Sequence, residues 1–176
     1  PLKIPDINNP RFSYGGGKIL TELMGINYGR KFFTKIIIFR PHNVYGADMG
    51  NEHVIPELIQ KMRKTKKNSF LKIQGTGKEI RSFIYIKDFI SGFHKLMTKG
   101  KHLQIYNIGT NQSIKIKDLV LKISKIMKKR IIIKTSVLKK GSTKIRKPNI
   151  TKIRKLGFKP KYTLDQGLKE IIFNKK

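Results

Sequence analysis

The stretch Ile36-Ile37-Ile38-Phe39-Arg40-Pro41 decides the fold class of this 176-residue chain. A run of apolar residues that stops at a charged residue and a proline is typical of a strand buried on both faces, as in a parallel sheet. A helical pattern precedes the run over residues 14–33, where apolar side chains recur at three- and four-residue steps. The segment therefore predicts a helix that leads into a strand of a parallel sheet.

Helices and strands continue to alternate to the end of the chain. Strands are predicted at 70–73, 82–86, 105–108 and 131–134, and helices at about 54–63, 88–98, 116–127 and 164–173. We expect Asp88 to cap one helix and Asn149 to cap another. This alternation predicts an α/β fold.

The composition excludes several classes of function. The chain has no cysteine, and its four histidines are not spaced like metal ligands, so we predict neither thiol chemistry nor a metal site. No stretch approaches the ~20 apolar residues that cross a bilayer. We therefore expect a cytoplasmic protein without a membrane as partner. Because the chain starts at Pro1, we also expect it to be part of a longer protein.

Charge is the most unusual feature of the composition, since Lys and Arg number 40 against 10 Asp and Glu, a formal net charge of +30. Such a charge suggests a polyanion such as nucleic acid as partner. Lysine greatly outnumbers arginine, however, whereas phosphate and base-edge contacts favour arginine. The lysines are also spread over nearly every segment, so we expect most of them on solvated faces and no nucleic-acid partner.

The segment Ser13-Tyr14-Gly15-Gly16-Gly17-Lys18 is the strongest candidate for chemistry. A tyrosine and a lysine four residues apart lie on one face of a helix. A nearby ammonium favours the phenolate of a tyrosine, whose pKa is ordinarily about 10, so Tyr14 is a candidate acid/base and Lys18 its electrostatic partner. Three glycines in a helix cost roughly 1 kcal/mol each relative to alanine, which indicates a bulky ligand close to this backbone.

Two loops are candidates for ligand binding. Residues 40–46, Arg-Pro-His-Asn-Val-Tyr-Gly, follow the predicted buried strand, and ligands of open α/β sheets lie outside the carboxyl ends of strands. Residues 74–83 place two glycines before Arg81, whose guanidinium can donate two parallel hydrogen bonds to a phosphate.

These segments, with Tyr-Asn-Ile-Gly at 106–109 and Leu-Gly-Phe-x-Pro at 156–160, form an ordered set of motifs. The set resembles the extended short-chain dehydrogenase/reductase family, and within it the NAD-dependent sugar-nucleotide epimerases and dehydratases, especially members like UDP-glucose 4-epimerase. The resemblance implies the C-terminal part of a Rossmann-type parallel sheet plus a small α/β substrate-binding domain. Residues 1–50 would end the NAD-binding domain. Residues 51–176 would be mainly the substrate-binding domain, with elements that return to the Rossmann sheet.

The resemblance also implies roles for individual residues. Tyr14 would be the catalytic acid/base at a sugar hydroxyl, and Lys18 would bind the nicotinamide ribose of NAD. Pro41 and His42 would lie beside the nicotinamide through their backbone. The implied substrate-binding residues are Asn43 and Arg81 at the diphosphate, His53 and Val54 at the nucleotide, Leu71 and Ile73 beside the base, and Lys139 at a phosphate. Ser142 is not expected to contact the ribose, because the family usually has an acidic residue there.

The implied reaction is epimerisation or dehydration of a nucleotide-diphospho-sugar through a 4-keto intermediate. Dehydration needs a further acid and base, which in the family lie upstream of the tyrosine. Decarboxylation is disfavoured, because only glycines separate Tyr14 from Lys18. The family also implies a homodimer formed through a four-helix bundle. The side chains that could form this interface are Leu20, Leu23, Met24, Leu58, Ile59 and Met62, and half of them could instead face the sheet.

The sequence lacks the family's N-terminal half, which carries a Gly-x-x-Gly-x-x-Gly turn and a catalytic Ser or Thr. We therefore expect the isolated 176 residues to have little activity. Two alternatives stay open at this point. The chain could be a basic module that binds nucleic acid or another polyanion, in which case salt should abolish binding. It could also be an inactive remnant of an enzyme.

Overall fold

A computed structural model describes residues 8–138 and 141–173, which form helices and short strands in alternation. The helices are α1 (Pro10–Phe32), α2 (Val54–Lys64), α3 (Ile86–Lys99), α4 (Ile116–Ile126), α5 (Thr151–Arg154) and α6 (Leu164–Phe173). The strands are β1 (Ile37–Pro41), β2 (Val44–Tyr45), β3 (Ser69–Lys72), β4 (Ile80–Arg81), β5 (Ile84–Tyr85), β6 (Gln104–Ile108), β7 (Ile114–Lys115), β8 (Ile131–Lys134) and β9 (Ile145–Arg146). The predicted α/β fold is confirmed.

Strand β1 pairs in parallel with β6, from Ile37 opposite Gln104 to Pro41 opposite Ile108. Its other edge has no partner strand among the described residues. Phe39 packs on Phe93 of α3 with ring centroids 5.3 Å apart, yet it stays 40% exposed. The prediction of a strand buried on both faces is therefore wrong for the described part of the chain, because a single neighbouring strand and its helices cover β1 only in part.

The remaining strands pair mostly in parallel as well. Strand β2 pairs in parallel with β5, and β3 with β8. Strand β4 lies between β7, which is antiparallel to it, and β9, which is parallel. Because parallel neighbours need long crossover connections, helices α2 to α4 fill the intervals between them. Their apolar sides form the core.

The core consists of two clusters of buried side chains. One lies among α2, α4, α6 and β3, and includes Leu58, Ile59 and Met62. The other lies among β5, β6, α3 and α5, and includes Ile84, Tyr106 and Ile108. Both clusters combine residues that are distant in sequence, so the described chain is tied together by non-local packing.

The proposed dimer residues fall into two groups. On α1, Leu20, Leu23 and Met24 are 59%, 47% and 50% exposed and thus available to a partner. On α2, Leu58, Ile59 and Met62 are at most 4% exposed. These three α2 side chains are therefore the half that packs inside the chain and not at an interface, because they fill the core against α4 and β3.

Asp88 does not cap α3 as predicted, since the N-cap residue is Tyr85 and Asp88 lies within the first turn. The buried Asp88 carboxylate instead accepts hydrogen bonds from the backbone N–H groups of Lys161 and Tyr162, each at 2.9 Å. Asn149 is not the N-cap residue of α5 either, since that residue is Ile150, but the Asn149 Oδ1 accepts the N–H of Thr151 at the start of the helix. Asp88 therefore anchors the segment between α5 and α6 to α3.

We expect Asp88→Ala to lower the free energy of unfolding by about 3 kcal/mol, because it leaves two N–H groups without their charged acceptor. The matched control is Asp118→Ala. Both α3 and α4 begin Ile-Lys-Asp, but Asp118 is exposed, so its loss should cost under about 1 kcal/mol through the helix dipole alone. Urea denaturation measures both, and equal losses would contradict the anchoring role of Asp88.

Candidate active site

The carboxyl ends of β1 and β6 form one side of the candidate site. Helix α1 runs antiparallel to β1, because Arg40 at the end of β1 donates two hydrogen bonds to the Glu22 carboxylate in the middle of α1. Tyr14 lies eight residues before Glu22, which is about 12 Å further along the helix axis. The N-terminal end of α1 is therefore at the same end of the sheet as the loop that starts at His42.

Tyr14 and Lys18 lie one turn apart on α1, with the Lys18 ammonium 5.4 Å from the centroid of the Tyr14 ring. The Tyr14 side chain is 69% exposed, so no other described residue covers it. A Cβ atom added at Gly15 or Gly17 would meet no described atom within 4 Å. Packing within the described chain does not explain these glycines, which leaves room for a ligand against this helix face.

His42 is held from both its backbone and its ring. Its N–H donates to the Ile108 carbonyl at 3.0 Å, and its Nε2 lies 3.3 Å from Asn107 Oδ1. Burial lowers the pKa of His42, and the positive charges of Arg146 and Arg40 lower it further against the opposing effect of Asn107. The imidazole is therefore neutral at physiological pH.

Gly109 brings the two strand ends together at this point. A Cβ at Gly109 would lie 2.7 Å from the ring of Pro148 and 3.1 Å from the Cβ of His42. Only glycine fits between these two groups without a shift of one of them. The Tyr-Asn-Ile-Gly motif therefore acts on the site by letting the loop after β1 approach β6.

Asn43 has a positive φ of 43° and links two neighbouring loops. Its Nδ2 donates to the Ser82 carbonyl at 2.7 Å, and its own carbonyl accepts the N–H of Ile84 at 3.3 Å. The left-handed region suits asparagine better than most residues. Asn43 thus joins the loop after β1 to the segment that follows Arg81.

Five of the predicted substrate-binding residues line one cavity of about 280 Å³. They are Asn43, His53, Val54, Ile73 and Arg81. A wider cleft of about 640 Å³, lined in part by Leu71, shares Glu57, Lys61, Ile73 and Gln74 with this cavity. Leu71 and Ile73 are at most 2% exposed, so they form its apolar floor and not a rim. Lys139 lies outside the described residues.

Arg81 is only partly available to a ligand. Its guanidinium donates to the carbonyls of Ile80 and Thr143 at 2.8 and 2.7 Å, which fixes the strand next to it. Arg146 lies opposite Arg81 in the β4–β9 pair and also lines the cavity. Within the described part of the chain, no hydrogen bond or salt bridge involves the Arg146 side chain.

Arg146 and Glu79 both line the cavity, although neither was a predicted site residue, and Ser142 lines it as well. Arg146 stands in a run of lysines without a distinguishing pattern, so the sequence contained no signal for it. Glu79 had one, since Thr76-x-x-Glu79 has the spacing of a capping box. Among the described residues, no group of His, Asp and Glu is arranged to hold a metal ion.

Glu79 shapes the glycine turn of the cavity wall. Its buried carboxylate accepts hydrogen bonds from the N–H groups of Thr76 and Gly77 at 3.0 and 2.9 Å, and from the Thr76 hydroxyl at 2.8 Å. Burial by itself raises the pKa of Glu79, but these hydrogen bonds outweigh burial and leave the pKa below its ordinary value. Gly75 and Gly77 both have positive φ, which the turn requires.

We expect Glu79→Ala to lower the free energy of unfolding by about 3 kcal/mol at pH 7, since buried donors lose a charged acceptor. The folded pKa lies below the unfolded one, so the carboxylate stabilises the fold above about pH 4.3 and ceases to do so as the pH falls through the folded value. The difference in the free energy of unfolding between Glu79→Ala and wild type should therefore become smaller in acid. Glu57→Ala, which removes only the exposed pair with Lys61, should change stability by less than about 1 kcal/mol.

Comparison with known proteins agrees with this arrangement. Residues 2–109 match the sequence model of the NAD dependent epimerase/dehydratase family. The chain belongs to this family. The part that matches includes Tyr14, Lys18, the loop after β1 and the turn before Arg81.

Individual relatives are sugar-nucleotide enzymes. The chain is 36% identical over 120 residues to dTDP-D-glucose 4,6-dehydratase of Dictyostelium discoideum, which covers 68% of this chain and 27% of the relative. It is 29% identical over 170 residues to the mouse dTDP-D-glucose 4,6-dehydratase, which covers 93% and 47%. The chain thus spans less than half the length of these two curated relatives.

A solved structure agrees closely with the fold. UDP-glucuronic acid 4-epimerase from Bacillus cereus, in a Tyr-to-Phe variant bound to a fluorinated UDP-glucuronic acid and NAD, superposes with a TM-score of 0.83 at 26% identity. The match covers 97% of this chain and 55% of that protein. The described chain therefore has the architecture of the Rossmann-type epimerases and dehydratases.

Proposed function

We propose that this chain is the substrate-side part of an NAD-dependent enzyme that epimerises or dehydrates a nucleotide-diphospho-sugar through a 4-keto intermediate. The observation that carries the proposal is the cavity between β4, β9 and α2. It gathers Asn43, His53, Val54, Ile73 and Arg81 from three separate segments, as the family resemblance implies. Membership of the NAD dependent epimerase/dehydratase family supports the same reaction class.

The chain's residues fit NAD at the N-terminal end of α1. Gly15 and Gly17 keep the helix face beside Tyr14 open, and Lys18 is free of ion pairs with described residues. Lys18 would donate to the nicotinamide ribose, while the backbone of Pro41 and His42 would line the nicotinamide. NAD, when bound, supplies the hydride acceptor for oxidation at C4 of the sugar and later the hydride donor.

Tyr14 would exchange a proton with the substrate. In the proposed first step its phenolate oxygen accepts the proton of the C4 hydroxyl, and the Lys18 ammonium stabilises the negative charge beforehand. In an epimerase, the same phenol would return the proton after the 4-keto intermediate has rotated in the site. The neutral His42 adds no further charge beside this exchange.

The cavity would hold the nucleotide-diphosphate. Arg146 offers a guanidinium that no described carboxylate neutralises. The family resemblance assigns a phosphate contact to Lys139. Arg81 and Asn43 would act chiefly by fixing the walls, since their side chains already donate to backbone carbonyls. Leu71 and Ile73 would form the apolar surface beside the base.

We place the end of the NAD-binding domain at residue 50 and the substrate-binding domain at 51–176, with β6 returning to the Rossmann sheet beside β1. We also propose a cytoplasmic location. Within the described residues, no helix is both long enough and apolar enough to cross a bilayer.

Calorimetric titration with UDP, GDP and dTDP at about 0.15 M salt tests the proposed substrate class. We expect clear preference for one nucleotide. Arg146→Gln should weaken that binding about 10-fold or more, because a charged hydrogen bond to phosphate is lost. Arg154→Gln, an equal change of charge on α5 outside the cavity, should leave affinity unchanged.

Tyr14→Phe separates binding from chemistry in the same experiment. It should bind the nucleotide as tightly as wild type but abolish turnover in the complete enzyme, because the proton acceptor is missing. Equal weak binding of all three nucleotides and of inorganic polyphosphate, removed by salt, would instead favour the polyanion-binding alternative. Intact nucleotide selectivity without any turnover of nucleotide-sugars would favour the inactive remnant.

We further propose a homodimer through the exposed apolar side of α1. Changing Leu20 and Met24 together to Glu should weaken dimerisation at least about 10-fold, because buried charges replace apolar contacts. Sedimentation equilibrium measures this, with Leu121→Glu as the control at a similarly exposed leucine on α4. A protein that is monomeric at all concentrations would refute the dimer.

A further inference from the structure

Two lysine-rich loops lie side by side at one end of the β3–β8 pair. One loop connects α2 to β3, and the other connects α4 to β8. The exposed cations of these loops and of the last helical turns before them, called the basic ridge below, are Lys64, Lys66, Lys67, Lys125, Lys128 and Arg130. The sequence separates these residues into two groups about sixty positions apart, so the ridge exists only in the folded chain.

Backbone pairing and one lysine hold the two loops together. Ser69 at the start of β3 lies opposite Ile131 at the start of β8, and the Asn68 N–H donates to the Arg130 carbonyl at 2.9 Å. The Lys129 ammonium donates to the carbonyls of Met62, Arg63 and Thr65 at 2.7, 2.8 and 3.0 Å. Lys129 thus satisfies the end of α2 and fixes the second loop against the first.

The ridge has no internal counterions. The sequence contains no Asp or Glu between Glu57 and Glu79, nor between Asp118 and Asp165. Among the salt bridges of the described residues, none involves a residue of the ridge. Cations gathered on two adjoining loops repel one another, and an anionic surface placed against them offsets that repulsion. Lysines that are evenly spread along the sequence are therefore concentrated on one surface of the folded chain.

Apolar side chains lie next to the ridge on the outer face of the same strands. Phe70 and Ile132 occupy opposite positions in the β3–β8 register and are 68% and 51% exposed. Two positions further along, Lys72 lies opposite Lys134, and both are exposed. The face therefore presents an apolar pair with cations on either side of it.

Contrary to the expectation from the sequence that no membrane is a partner, we propose that this face binds anionic phospholipid membranes. The ridge would lie against the headgroups, with Phe70 and Ile132 inserted between them. Clusters of four to eight basic residues beside exposed apolar groups are the pattern of reversible membrane-surface attachment. The chemistry favours lipid over nucleic acid, because five of the six ridge cations are lysines, which act as point charges and not as phosphate forks. The face also has a single aromatic ring, where single-stranded nucleic acids need several for base stacking.

The test is cosedimentation of the protein with vesicles of phosphatidylserine and phosphatidylcholine in equal parts, and with vesicles of phosphatidylcholine alone, at about 0.15 M salt. Binding should require phosphatidylserine. Changing Lys66, Lys67 and Lys125 together to Gln should lower the partition coefficient on the order of 100-fold. The matched control changes Lys95, Lys155 and Lys159 to Gln around the other core cluster, and it should bind as wild type.

A second pair of variants tests the apolar contact. Ile132→Ser should lower partitioning several-fold at raised salt, where apolar insertion carries more of the binding. Ile90→Ser, at a similarly exposed isoleucine on α3, should not. Circular dichroism confirms that each variant is folded. An equal loss of vesicle binding in both lysine-triple variants would assign binding to total charge and overturn the proposal. Absence of binding to phosphatidylserine vesicles would also overturn it. So would displacement of the protein from the vesicles by single-stranded RNA at a concentration below that of the lipid.

Discussion

The parallel pairing of β1 with β6 is the constraint on which the rest of the site depends. The backbone ladder from Ile37 to Pro41 is continued by the hydrogen bond from the His42 N–H to the Ile108 carbonyl. This one additional bond fixes where the loop leaves the sheet, and the absence of a side chain at Gly109 lets it leave close to Pro148. Asn43, the next residue, then reaches Ser82 and brings the second loop to the same end of the sheet. The position of β1 therefore determines, through these successive contacts, where the walls of the cavity around Asn43 lie.

Much of the fold was readable from local patterns, because helices α2, α3 and α4 have strong apolar periodicity and strands β1 and β8 begin with isoleucine runs. The bounds predicted for β8 and α6 coincide with the structure, and those of α2 are within one residue. Asp88 shows where such reasoning stops. A carboxylate at a helix start predicts a cap, whereas this one bonds to a segment more than seventy residues away. The exposed side of β1 was not predicted for a related reason. An apolar run indicates that a strand favours burial, but it does not show whether other elements cover the strand.

The candidate site shows the same division between local and distant information. The family resemblance named five substrate-binding candidates that line a single cavity. Arg146 could not be found in this way, because among so many cations only its position opposite Arg81 distinguishes it. The basic ridge could not be predicted for the same reason. Each of its loops resembles every other lysine-rich loop until the pairing of β3 with β8 brings the two together. Composition was informative about the amount of charge, and only the fold was informative about its place.

For these 176 residues on their own, the unpaired edge of β1 makes the large positive charge protective. Along the described chain, that edge leaves backbone N–H and C=O groups unpaired beside Ile37, Ile38 and Phe39, which is the kind of template onto which further strands add. Copies of a chain with a net charge of +30 repel one another strongly enough to keep such edges apart. Screening weakens that repulsion, so colloidal stability should fall as ionic strength rises. In the isolated 176 residues the lysines would therefore oppose aggregation through this edge.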